Sequence, residues 1–226
     1  METPINRDIV KQEIDKMGLD SVGLASIREL NRIVNNIENA AGEQFIRMEM
    51  GVPGLAPPKI AVDAEIAALK QGVGSKYPPF DGIPQLKTEI SAFVKNFVDV
   101  DIPAESCFPT VGSMQGCYMA MMCCGRRIRG KDRILFIDPG FPVNKHQARV
   151  LGLPYSHFDV YEYRGDKLGP KLASFLEKGD VAAIMYSNPN NPAWICFTEK
   201  ELEIIGNLAT KYDCIVMEDL AYFGMD

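Results

Sequence analysis

Val181-Ala182-Ala183-Ile184-Met185-Tyr186-Ser187-Asn188-Pro189-Asn190-Asn191-Pro192 is the stretch that decides the fold. An apolar run of this kind, closed by an Asn/Pro turn, reads as a strand buried on both faces. A strand of that kind needs helices above and below it, and the flanking sequence supplies them. Before it lie a second continuous apolar run, Arg133-Ile134-Leu135-Phe136-Ile137, and a further run that reads as a strand over 155–160. After it comes Cys214-Ile215-Val216-Met217. Between these runs the apolar spacing predicts helices over 143–151, over 172–177, and from a Thr198 cap with Glu201 at the capping-box position to about residue 211. Upstream, the short run Cys107-Phe108-Pro109-Thr110-Val111 reads as another strand, leading into Gly112-Ser113 and an apolar helix to Cys124. Strands are therefore expected to end near Val111, Ile137, Val160, Tyr186 and Glu218. Strands alternating with helices imply an α/β architecture: a doubly wound, mostly parallel sheet with flanking helices.

The N-terminal part differs. Residues 9–17 have helical apolar spacing and stop at Gly18. Ser26 can cap a second helix, with Glu29 as its box partner and Ile27, Leu30, Ile33, Val34 and Ile37 as its apolar face. Gly51-Val52-Pro53-Gly54-Leu55-Ala56-Pro57-Pro58 reads as extended chain. It places a domain boundary near residue 50, giving an N-terminal helical segment over 1–50 and a larger domain over 51–226. Residues 60–69 are helical, 76–82 form a loop, and Pro84 suits the first position of a helix to about residue 98.

Composition narrows the function classes. A net charge of −6 and a pI near 5.1 leave no electrostatic footprint for nucleic acid. The basic run Arg126-Arg127-Ile128-Arg129-Gly130-Lys131 reads as a solvated helix C-terminus. The six cysteines form no C-x-x-C pair and only two histidines are present, so no metal site is expected. Cys123-Cys124 read as buried thiols. The start of the chain is polar and acidic, unlike a signal peptide, and no apolar run reaches the roughly 18 residues of a membrane span. The expectation is a soluble, cytoplasmic protein with no membrane partner.

In open α/β sheets ligands collect beyond the carboxyl ends of the strands. Four such loops carry notable residues: Gly112-Ser113-Met114-Gln115, Pro139-Gly140-Phe141-Pro142, Asn188 with its Asn/Pro sequel, and Glu218-Asp219-Leu220-Ala221-Tyr222. A glycine before a helix start lets the backbone approach an anion. A carboxylate at the end of a buried strand needs a partner. An ordinary reading exists for each residue alone: a capped turn, a core phenylalanine, an acidic cap.

Together these motifs resemble the cofactor floor of the pyridoxal-phosphate-dependent aminotransferases of class I/II, the aspartate aminotransferase fold (fold type I). The resemblance runs from about Gly51 to Asp226, with the motifs in family order. It implies that Gly112, Ser113 and Met114 cradle the phosphate, Phe141 stacks on the pyridine ring, Asn191 and Tyr222 hold the phenolate oxygen, and Asp219 pairs with the ring nitrogen. It also implies that Tyr77 reaches the phosphate of a partner subunit in a homodimer, that Gly51 lines the substrate side, and that the first fifty residues go with the family's small domain. The substrates implied are an amino acid and a 2-oxo acid. The sequence departs from the pattern where Ala193-Trp194 stands for the usual Thr-Gly. The last lysine, Lys211, precedes the Asp219 motif, so the Schiff-base lysine is expected beyond Asp226 and the chain is expected to be an inactive N-terminal portion. Two other readings share this floor: a lyase or decarboxylase on the same fold, and a non-catalytic regulator.

Overall fold

The computed structural model of the chain describes residues 5–19, 21–51 and 54–225. Val52 and Pro53 of the Pro/Gly-rich stretch, and residues 1–4 of the acidic N-terminus, lie outside these. The chain divides into two compact units, Met1–Tyr77 and Pro78–Asp226.

The first unit is helical. Helix α1 (Arg7–Met17) starts at Asn6, whose side chain accepts from the Asp8 N–H, and ends at Gly18 in the left-handed conformation (φ 62°). Helix α2 (Ile27–Ala41) carries the predicted capping box between Ser26 and Glu29, and buries Ile33 and Ile37. Helix α3 (Lys59–Lys70) buries none of its described residues. Ile60, Ile66 and Leu69 are exposed on it.

The second unit holds the sheet. Its helices are α4 (Pro84–Val98), α5 (Gly112–Arg127), α6 (Pro142–Val150), α7 (Leu168–Leu176) and α8 (Glu199–Lys211). Its strands are β1 (Arg133–Asp138), β2 (Tyr155–Asp159), β3 (Val181–Ser187) and β4 (Ile215–Asp219). All pairings are parallel and the order is β2-β1-β3-β4. Every residue of β3 is buried. The reason is that successive side chains point to opposite faces and both faces are covered. Leu135, Ile137, Ile184 and Tyr186 pack with Leu168, Leu172 and Leu176 of α7 and Ile205 and Ala209 of α8. Ile134, Phe136, Ala183 and Met185 pack with Met121 and Cys124 of α5 and Ala148 of α6. The sheet is doubly wound. The chain moves from β1 out to β2, then returns past β1 to β3. The strand order therefore reverses between β1 and β3, and their carboxyl ends open a crevice there.

Three expectations need correction. Residues 107–111 form no strand: no described strand lies beside them, Pro109 has no N–H to give a ladder, and Phe108 and Val111 are exposed. The Val111 N–H is taken instead by Gln115 Oε1 at 2.6 Å. Cys124 is buried but Cys123 is exposed, because adjacent residues on a helix point about 100° apart. Helix α7 begins at Leu168, four residues before the predicted start. The basic run at the end of α5 also does more than face solvent. Arg127 Nη2 lies 2.9 Å from Asp213 Oδ1, and Lys131 Nζ reaches the carbonyls of Tyr212 and Asp213, pinning the turn between α8 and β4.

Candidate cofactor site

The parallel register brings Ser187 of β3 opposite Asp219 of β4, so the two loops that follow leave the sheet side by side. The Asn188 N–H donates to the Asp219 carbonyl at 3.1 Å. Beyond β3 the turn is held from within. Ser187 Oγ accepts from the Asn191 N–H at 3.3 Å, and the Asn190 N–H donates to the Ile195 carbonyl at 2.9 Å. Buried Asn190 also crosses to the loop after β1: its Nδ2 donates to the Pro139 carbonyl at 2.6 Å. The loop carrying Phe141 is thereby tied to the loop carrying Asn191.

An open cavity of about 580 Å³ lies where α5 faces β4. Ser113, Gly116, Cys117 and Ala120 line it from α5, and Met217, Glu218 and Asp219 from β4. Gly112 takes φ 73°, and α5 begins without a side-chain cap. Its first N–H groups therefore carry the partial positive charge of a helix start with no side chain of their own to satisfy them. At the other wall, burial pushes the Asp219 carboxyl above its ordinary value, partly offset by the Ala221 N–H it accepts at 3.2 Å. Burial raises the Cys117 thiol to about 11, helped by the negative charge of Asp219.

The other expected residues fall as follows. Met114 sits in the first turn of α5, and its carbonyl accepts from Gln147 Nε2 at 2.8 Å, which docks α6 against that turn. Phe141 is the N-cap residue of α6 and lines a narrow cleft with Asp138, Asn144, Lys145 and Ser187 at the switch point between β1 and β3. Met185 lines both the cleft and the larger cavity. Tyr222 lies in the turn after β4, half-buried, with its ring 5.9 Å from that of Trp194. Neither Asn191 nor Tyr222 lines the larger cavity. Gly51 and Tyr77 belong to the first unit and are exposed, Tyr77 fully so.

Sequence reasoning missed Cys117 and the bridging role of Asn190. Cys117 stands four residues after Ser113, so helical spacing alone puts it on the Ser113 face. Nothing local signals that Asn190 reaches the Pro139 carbonyl.

The model of the class I and II aminotransferase family matches residues 43–225. The chain belongs to this family. It is 22% identical over 183 residues to the aspartate aminotransferase of Bacillus subtilis, covering 81% of this chain and 46% of that protein. It is 26% identical over 200 residues to the aspartate aminotransferase of Pyrococcus horikoshii, covering 88% of this chain and 48% of the relative. Among solved structures, the alanine aminotransferase from Pyrococcus furiosus superposes with a TM-score of 0.70 at 25% identity, over 85% of this chain and 49% of that one. The Thermus thermophilus aspartate aminotransferase with maleate gives 0.73 at 19% identity, over 92% and 52%, and shows the shared fold alone. The chain thus spans about half the length of the relatives it matches.

Class I and II aminotransferases use pyridoxal phosphate. The site fits that group. A helix start without a side-chain cap suits a phosphate. A half-buried carboxylate lining a largely apolar cavity, without a cation among its described hydrogen-bond partners, suits a protonated ring nitrogen. Among the described residues no His/Cys/Asp/Glu group could hold a metal ion, and no helix is long and apolar enough to cross a membrane.

Proposed function

We propose that the whole protein is a pyridoxal-phosphate-dependent aminotransferase that moves an amino group between an amino acid and a 2-oxo acid. The observation that carries this reading is the pairing of Ser113 and Asp219 across one cavity, an anion-attracting helix start and a half-buried carboxylate lining the same space. When bound, the cofactor supplies an electron-withdrawing ring that stabilises negative charge on the substrate carbon. Asp219 keeps a proton on the ring nitrogen. The N–H groups of Ser113 and Met114 and the Ser113 hydroxyl hold the phosphate, with Gly112 letting the backbone come close. Phe141 gives the ring a flat neighbour. Asn191 and Tyr222 donate to its phenolic oxygen, and Gly51 borders the substrate.

We also propose a homodimer in which Tyr77 contributes to the partner's phosphate site, and a cytoplasmic location. Exposed Ile60, Ile66 and Leu69 of α3 and exposed Tyr77, all in the first unit, support the first. The six free cysteines support a reducing compartment. The residues over 1–50 go with the small domain in this reading.

The test is a titration with pyridoxal phosphate followed by visible absorbance, then an amino-transfer assay of the whole protein with and without a 2-oxo acid. Saturable binding weakened by Ser113→Ala, and turnover that needs the oxo acid, are the expected results. Binding that is non-saturable, or indifferent to Ser113, would overturn the assignment.

A further inference from the structure

Trp194 is the single tryptophan of the sequence, and it holds a left-handed backbone with φ 53°. That region is unfavourable for any residue with a Cβ, and for a bulky one it is an outlier. The other non-glycine residues in this state among those described are Asp99 and Asp213. Asp99 directly follows α4 and Asp213 stands two residues beyond α8, and an aspartate tolerates the region through its short polar side chain. Trp194 has neither excuse.

The turn does not require the indole. It is closed by its backbone, through the Trp194 N–H to the Asn190 carbonyl at 2.8 Å, and by the Ala193 N–H to Asn190 Oδ1 at 3.2 Å. A glycine would close it equally well and without strain. Core filling does not explain the side chain either, since Trp194 is 49% exposed. What the indole adds is a ring contact: it meets the Tyr222 ring edge-on, with centroids 5.9 Å apart and planes at 74°. Tyr222 otherwise sits in a short turn made by its own neighbours, Phe223 N–H to the Leu220 carbonyl and Met225 N–H to the Tyr222 carbonyl. Those bonds fix the backbone of the turn and not the ring.

We infer that Trp194 is a positioning residue that holds the Tyr222 ring, and with it the hydroxyl, beside the cofactor cavity. The inference rests on the reading of Tyr222 as a cofactor contact. It assigns the strained backbone a purpose: the left-handed turn aims the indole across from the β3 loop to the β4 loop, a direction that an ordinary turn would not give.

The test is a double-mutant cycle in the full chain, reading pyridoxal-phosphate affinity by absorbance titration and thermal stability by circular dichroism. Tyr222→Phe should weaken affinity about tenfold, the size of one aligned hydrogen bond. Trp194→Gly should weaken it by about fivefold to tenfold without lowering the melting temperature, because glycine relieves the backbone. Trp194→Phe, which keeps an aromatic edge on Tyr222, should stay within about twofold of the wild type. Tyr222→Phe added to Trp194→Gly should cost less than about twofold more, since the hydroxyl is already misplaced. If Trp194→Gly binds as the wild type does while Tyr222→Phe is weakened, the Trp194 inference falls and the cofactor reading stands. If Tyr222→Phe itself binds as the wild type does, the role of Tyr222 falls, and the inference with it. A melting temperature that drops with Trp194→Gly would make the indole a structural prop and overturn the inference.

Discussion

Glu201→Gln should destabilise the protein at neutral pH and cease to matter in acid. Glu201 is the third residue of α8, and its side chain is 1% exposed. Arg164 grips it with two bonds, Nε to Oε1 and Nη2 to Oε2, each 2.7 Å long. The Gly165 and Thr198 N–H groups donate to the same carboxylate at 2.7 and 2.9 Å. Arg164 first, and these N–H groups after it, outweigh burial and hold the carboxyl at about 2, against an ordinary 4.5. At about 1.4 kcal/mol per pKa unit, that difference corresponds to roughly 3 kcal/mol of stability. Because the folded value is depressed, this stability is fully present above about pH 5 and drains away as pH falls through 4 towards 2. Glutamine fills the same space and still suits the capping box, so the charge is what is lost. For a chain of this size the melting temperature should fall by roughly 6–12 °C at pH 7. The assay is thermal unfolding followed by circular dichroism across pH 2.5–8, wild type against variant. Other carboxylates titrate in both proteins and cancel in the difference. A gap of less than about 1 kcal/mol at pH 7, or one that persists undiminished at pH 2.5, would refute the clamp.

Asp219→Asn should melt at or above the wild-type temperature at pH 7 without cofactor, because burial raises this carboxyl and an amide escapes the cost of a desolvated charge. The same variant of the whole protein should lose about tenfold or more of its amino-transfer rate, and a rate within about twofold of wild type would remove Asp219 from the ring nitrogen. With the Cys117 thiol at about 11, its thiolate is roughly a thousandth of the total at pH 8, so iodoacetamide followed by mass spectrometry should label exposed Cys123 long before Cys117. Gly82→Ala should cost about 1–3 kcal/mol in chemical denaturation, since a Cβ there would meet Pro109 Cδ at 2.6 Å on a backbone with φ 95°.

Much of this protein was legible because its information is local. The apolar runs of β1 and β3 announce strands covered on both faces, and their side-chain alternation needs no knowledge of what covers them. The boxes Ser26–Glu29 and Thr198–Glu201 lie within one turn each, so sequence alone places the starts of α2 and α8. The order of motifs, from Gly112-Ser113 through Asn191 to Asp219 and Tyr222, was enough to suggest the family. Tertiary structure decided whatever depends on a distant neighbour. Residues 107–111 have strand-like composition, but a strand exists only where another backbone lies beside it, and none of the described strands does. Glu201 reads as a cap, yet its depressed carboxyl comes from Arg164, 37 residues away. Asn190 reads as a turn residue, yet its amide spans 51 positions to the Pro139 carbonyl and binds two site loops together. The strand order β2-β1-β3-β4, which opens the crevice between β1 and β3, is likewise absent from any local pattern. Periodicity records which faces of an element are buried, whereas partners are chosen only when the chain closes on itself.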